Sequence, residues 1–184
     1  TRSILSRILS ENHYEMSIYF VTSTIVEWMP GFTTRKYFAI IIDSLRFCKD
    51  HKGLRLYAFV ILDNHFHLVV SAPEVSITLA SLKMFSAKEI IKTLKHDNNH
   101  WLLNQFAFFK KRSKMASNFQ VWQEGFHPQL ILNDTMLIQK VEYLHQNPVR
   151  NGLVDQAEHW RYSSARNYHA DDHSIIKTDE LPVA

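Results

Sequence analysis

Two histidines bracket a phenylalanine at His65-Phe66-His67, inside a run of β-forming residues. Side chains alternate across a strand, so the imidazoles share one face while Phe66 points to the other. The strand rise sets the two histidines about 7 Å apart, within reach of one divalent metal. With 11 histidines in 184 residues, roughly 0.65 His-x-His triplets are expected by chance, so the spacing needs a second feature before it counts as a site.

That second feature lies in a helix predicted from about Thr135 to Asn147, capped by Asn133-Asp134-Thr135 and ended by Pro148. Its buried stripe is Leu137, Val141 and Leu144. Tyr143 and Asn147, four residues apart, project from an adjacent face. A phenol and a carboxamide presented together can serve as nucleophile and metal ligand. Two imidazoles plus one oxygen leave coordination positions open for substrate, as a catalytic metal requires. Lys140, one turn before Tyr143, is either a cation for the phenol or a phosphate, or a solvent-facing lysine.

The elements that must position these residues are readable. Tyr19 to Thr24 is a first strand, and Thr33 or Thr34 caps a helix to about Lys49 with Phe38, Ile41, Ile42, Leu45 and Cys48 buried. Arg55 to Leu62 is a second strand, Asp63-Asn64 a tight turn, and His65 to Ser71 the third strand. Ser76 opens a long helix with Ala80, Met84, Ala87, Ile91 and Leu94 along one side and Lys88, Lys92 and Lys95 along another. From His96 to Asn118 aromatic residues mix with the basic cluster Lys110, Lys111, Arg112 and Lys114, a combination suited to single-stranded nucleic acid. Val121 to Leu132 is expected to hold a short fourth strand. Beyond the last long helix, a packed arm runs through Trp160 and Tyr168, and Ala170 to Ala184 is expected to be loose. The order β-α-β-β-α-(β)-α predicts an α+β fold, an antiparallel sheet with helices packed on one face as in ferredoxin-like and RRM-like domains.

Composition narrows the class. The chain is 46% hydrophobic and 21% charged, ordinary values for a globular protein, and its length suits a single domain over 1–184 with a core at about 18–170. No apolar run reaches the length of a membrane span, no signal-peptide pattern opens the chain, and the lone Cys48 reads as a buried small hydrophobe. Cytoplasmic residence without membrane attachment is the expectation. A net charge of +3 permits nucleic-acid binding without requiring it.

Three blocks, Asn64-His65-Phe66-His67-Leu68, Tyr143 through Val154 (YLHQNPVRNGLV) and Tyr162 through Tyr168 (YSSARNY), resemble successive signatures of the single-tyrosine HUH transposases. The nearest branch is the REP-associated tyrosine transposases, and the resemblance spans roughly residues 18 to 170. It implies an HUH endonuclease core, with His65 and His67 as paired metal ligands and Tyr143 as catalytic tyrosine. It further implies that Asn147 completes a Mg²⁺ or Mn²⁺ site, with His145 and Gln146 as nearby alternatives. The implied activity is metal-assisted transesterification of hairpin-bearing single-stranded DNA through a 5′-phosphotyrosine link, by a protein that can be a homodimer. Glu124, Phe126 and His127 fall in a stretch resembling the family's W-x-x-G-x-H and are given no catalytic role. Competing readings are a replication initiator or relaxase, a hairpin-binding regulator that has lost cleavage, and an unrelated zinc hydrolase. The last leaves the Tyr143 block unexplained.

Overall fold

Arg55–Ile61 (RLYAFVI) is buried at every position after the first, and a strand that reads this way needs cover on both faces. The computed structural model, which describes residues 16–110, 117–125 and 128–182, supplies that cover. Four strands form one sheet: β1 (Tyr19–Thr24), β2 (Arg55–Ile61), β3 (His65–Ser71) and the two-residue β4 (Gln129–Leu130). Their spatial order is β2-β3-β1-β4, with every neighbouring pair antiparallel. β1 and β2 flank β3 and are joined by helix α1 (Arg35–Lys52), the split β-α-β arrangement of ferredoxin-like domains. Thr34 begins α1, and Gly53, at φ 64°, ends it in the left-handed conformation that glycine adopts without a steric penalty.

On one face Val21, Phe59, Ile61, Phe66, Leu68 and Val70 pack against α1 and against α2 (Val75–His96), with α3 (His100–Phe108) adding Leu102 and Phe106. The expectation of helices on one face needs an amendment. α4 (Asp134–His145) lies across the opposite face, where Leu137, Val141 and Leu144 meet Phe20, Tyr57, Ala58, Val60 and Val69. A register shift between Leu56 and Ala58 lets the consecutive Tyr57 and Ala58 both join this second core. α4 starts on Asn133, whose side chain accepts from Met136 N–H at 2.9 Å, and it ends at His145. Pro148 does not stop the helical path. It sits in the first turn of α5 (Asn147–Arg150), where a missing N–H costs nothing.

α2 corrects another expectation. Its buried residues are Thr78, Leu79, Leu82, Ser86, Ile90 and Leu94, whereas Ala80 is exposed, Ala87 and Ile91 are half-buried, and Met84 is 73% exposed. The stripe is turned: α1 meets α2 at Thr78, whose carbonyl oxygen lies 3.9 Å from Cys48 Sγ, and Met84 is left toward solvent.

The tail from Ala170 is also not loose as far as it is described. Ile176 is buried, and Asp179 takes both backbone groups of Leu56: its N–H donates to Leu56 O at 2.8 Å and its carboxylate accepts from Leu56 N–H at 2.7 Å. Lys49 forms an ion pair with the same carboxylate. β2 is an edge strand with unpaired backbone groups to satisfy, and the C-terminal arm supplies the partners. Ile61 N–H donates to Tyr162 O at 2.9 Å, Ser164 N–H to Phe59 O at 2.8 Å, and Tyr168 OH to Tyr57 O at 2.7 Å, just before and within α6 (Ala165–Ala170). A second copy could pair on this edge only by displacing these bonds.

Ser164 is the hub of that seam. Its hydroxyl accepts from Phe59 N–H at 2.8 Å, lies 3.1 Å from Phe59 O, and is 2.7 Å from Nε2 of His145 on α4. Ser164→Ala would strand two buried polar groups, so an equilibrium loss of about 2–3 kcal/mol is expected in denaturant unfolding. A loss under about 0.5 kcal/mol would remove Ser164 as the tie between α4 and the sheet.

Candidate active site

β1 pairs with β3 in a register that sets Thr22 opposite His67 and Thr24 opposite His65. The two histidines face the α4 side, as the alternation requires, with Phe66 buried on the other side. Their ring centroids are 4.9 Å apart, nearer than the backbone spacing because the rings lean together edge to face.

Each imidazole has one nitrogen already engaged. Nδ1 of His65 is 2.6 Å from Oδ1 of Asn64, and the Asn64 amide is oriented by its Nδ2 donating to Trp28 O at 3.1 Å. An amide oxygen only accepts, so His65 must carry its proton on Nδ1, leaving Nε2 as a lone pair. Nδ1 of His67 is 2.7 Å from Thr22 Oγ1; protonated there, it donates to the hydroxyl and likewise frees Nε2. Outer partners that fix the tautomer in this way are what a metal-binding pair requires.

Electrostatics keep both rings neutral. Burial pushes the His67 pKa down to about 3, reinforced by the positive charges that His65, Arg150 and Lys140 can carry. Burial also lowers His65, partly offset by Asp63. Lowering pH therefore does not protonate His67 where an exposed histidine would titrate, near 6.5. In a ¹⁵N NMR titration of the metal-free protein, its ring nitrogens are expected to keep neutral shifts from pH 7 to pH 5. A protonation midpoint above pH 6 would contradict this account of its environment.

Tyr143 comes from α4 to the same place. Its ring meets His67 edge to face at 5.6 Å and Phe20 at 5.9 Å, yet the residue stays 45% exposed. Phe20 completes the wall by stacking on His67 at 5.3 Å. Above the phenol lies Arg150 of α5, its guanidinium 4.4 Å from the ring centroid and its Nη2 donating to Tyr143 O at 2.6 Å. Lys140 is turned to Phe20, with Nζ 4.7 Å from that ring, so the cation at Tyr143 is Arg150.

Asn147 sits beyond the end of α4, on α5, and is buried. Its Oδ1 accepts from Asn151 Nδ2 at 2.6 Å and keeps a second lone pair. His145, an alternative ligand, is turned away toward Ser164 and Tyr168, and Gln146 is exposed. Among the described residues no three or more His, Cys, Asp or Glu cluster as a metal-binding group. Two neutral imidazoles with free Nε2 fit one divalent metal whose other positions fall to neutral oxygens and substrate.

Phe20, Thr22 and Arg150 escaped sequence reasoning. A signal existed: Phe20 and Thr22 are two apart on β1 and share the face of the histidines once β1 is paired with β3. Arg150 follows Tyr143 by seven residues, two helical turns.

The basic residues fall elsewhere. Lys88, Lys92 and Lys95 line a groove of about 770 Å³ along α2, with Met84, Ala87, Ile91 and Phe119 among its apolar walls. Lys95 Nζ lies 5.4 Å from the Phe119 ring, and Lys92 pairs with Glu89 at 3.4 Å. A smaller cavity of about 230 Å³ at Thr22, Thr24 and Gln123 shares Lys83, Gln123 and Glu124 with the groove. Lys110 follows the end of α3, while Lys111, Arg112 and Lys114, like Phe126 and His127, lie outside the described residues. Among the described residues no helix is long and apolar enough to cross a membrane.

Comparison with known proteins agrees with the resemblance seen in the three motifs. The chain is 27% identical over 155 residues to a Haemophilus influenzae protein described as a REP-associated tyrosine transposase, covering 80% of this chain and 78% of that one. Its fold matches the structure of a REP-associated tyrosine transposase bound to a REP hairpin, with a TM-score of 0.60 at 18% identity over 91% of this chain and 88% of that one. No family model matches the chain.

Proposed function

We propose that this chain is a transposase of the single-tyrosine HUH type, which cuts and rejoins single-stranded DNA beside a stem-loop. The observation that supports this reading is the edge-to-face contact of Tyr143 with His67 at 5.6 Å, which would bring the nucleophile to the histidine pair within one chain. The REP hairpin bound in the similar structure supports a hairpin substrate.

Tyr143 oxygen would attack the scissile phosphorus, forming a tyrosine–phosphate bond while the 3′ oxygen leaves and takes up a proton. The bond energy of the phosphodiester stays in the protein–DNA link, so a second 3′-hydroxyl can reverse the step and join strands. Phe20 and His67 hold the phenol ring in place. Arg150, whose guanidinium lies over that ring, can offset charge on the phosphate oxygens. His65 and His67, with Asn147 as a further oxygen donor, would hold Mg²⁺ or Mn²⁺, which when bound polarises the phosphate. Along α2, Lys88, Lys92 and Lys95 would track the phosphates of the flanking strand, with Lys110, Lys111, Arg112 and Lys114 as a second basic patch.

A labelled single-stranded hairpin with an unpaired arm, incubated with the protein and Mn²⁺ and run on a denaturing gel, tests the reading. A covalent adduct is expected. A native-gel shift without adduct would mark a binding regulator instead, and neither would overturn a DNA function.

A further inference from the structure

A tight turn after β1 carries a backbone that its residues do not favour. Met29 N–H donates to Val26 O at 3.3 Å, and both central residues have positive φ, Glu27 at 54° and Trp28 at 56°. Two left-handed residues in succession call for Asn and Gly, not Glu and Trp. The surroundings impose the conformation: Ile25 N–H donates to Asn64 O and Val26 N–H to Val121 O, both at 2.8 Å, and Asn64 Nδ2 donates to Trp28 O at 3.1 Å. Strain kept in this way asks what it achieves. It holds Trp28 57% exposed, its ring 5.8 Å from that of His65. An indole would ordinarily bury most of its surface, so an open aromatic face beside the histidine pair is a feature to explain.

We propose that Trp28 is a stacking platform for one unpaired nucleobase of the DNA strand, seated as the neighbouring phosphate reaches His65, His67 and Tyr143. This rests on the DNA reading given above and adds a residue that fixes the strand's position. The chemistry favours a base over a phosphate at this spot. Glu27, exposed and preceding Trp28 in the same turn, adds a negative charge that disfavours a phosphate there, whereas every nucleobase offers a π-face. Stacking tolerates any base, so Trp28 would set the path of the strand, leaving sequence choice to other contacts.

Fluorescence anisotropy with a labelled stem-loop carrying an unpaired oligo-dT arm, and with the same stem-loop carrying a length-matched abasic arm, tests the role. The unmodified protein is expected to favour oligo-dT by about tenfold, the order that one stacked base contributes. Trp28→Leu should lose most of that preference while binding the abasic strand as before, and Trp28→Phe should restore it. A Trp28→Leu protein that keeps the preference would overturn the proposal. So would one that weakens on both strands alike, since the indole would then serve only to support His65. Unmodified protein binding neither strand would remove the DNA substrate itself, an outcome distinct from the other two.

Discussion

Alanine at both His65 and His67 is expected to abolish Mn²⁺ binding and to slow strand cleavage by about a thousandfold, the effect of losing several kcal/mol of charge stabilisation at the phosphate. The two positions differ in what else they do. His65 is half-buried, and its removal leaves Asn64 still bonded to Trp28, so His65→Ala alone should fold as before. His67 is buried between Phe20 and Tyr143. His67→Ala opens a void there, at a cost of about 1–3 kcal/mol in unfolding. His65→Ala is therefore the cleaner test of metal binding. Calorimetric titration with Mn²⁺ on the folded variants decides the matter: undiminished binding by the double variant would rule out the histidine pair as the metal site.

Much of this site is legible in the chain, and the reasons are physical. Alternation on β3 places both imidazoles on one face whatever the rest of the fold does. The 3.6-residue period likewise separates Tyr143 from the Leu137, Val141 and Leu144 stripe. The apolar run from Leu56 to Ile61 fits a sheet covered on both faces, but short apolar runs look alike in several contexts, and the expectation drawn from the sequence is helices on one face. What could not be read depends on partners distant in sequence. Ser164 meets His145 and Phe59 across gaps of 19 and 105 residues, and Asp179 caps Leu56 across 123, so the tail reads as a loose terminus from the sequence. The turn of the α2 stripe has the same origin: Met84 and Ile91 fit a helical core pattern, yet they line a groove whose other wall is Ser117 to Glu124. Asn147 marks the other limit, since the four-residue spacing assumed a continuous helix where the chain passes from α4 to α5 at Gln146.

Tyr143→Phe should eliminate the covalent adduct and all strand cleavage while leaving hairpin affinity nearly unchanged. The variant removes one oxygen, and that oxygen makes no hydrogen bond among the described residues. The ring contacts with Phe20, His67 and Arg150 involve the aromatic carbons and persist. Stability should therefore shift by less than about 0.5 kcal/mol. The described Tyr57, Tyr162 and Tyr168 are otherwise placed. Tyr57 lies in the second core, with its hydroxyl 2.9 Å from Ser71 Oγ, and the Tyr168 hydroxyl is bonded to Tyr57 O. Tyr162 stacks on Phe38 at 4.0 Å. None of them faces the histidine pair as Tyr143 does. The most direct measurement is peptide mapping, by mass spectrometry, of the adduct trapped on a single-stranded hairpin. The nucleotide is expected on Tyr143 alone; a nucleotide on any other residue, or an adduct formed by Tyr143→Phe, would contradict the mechanism.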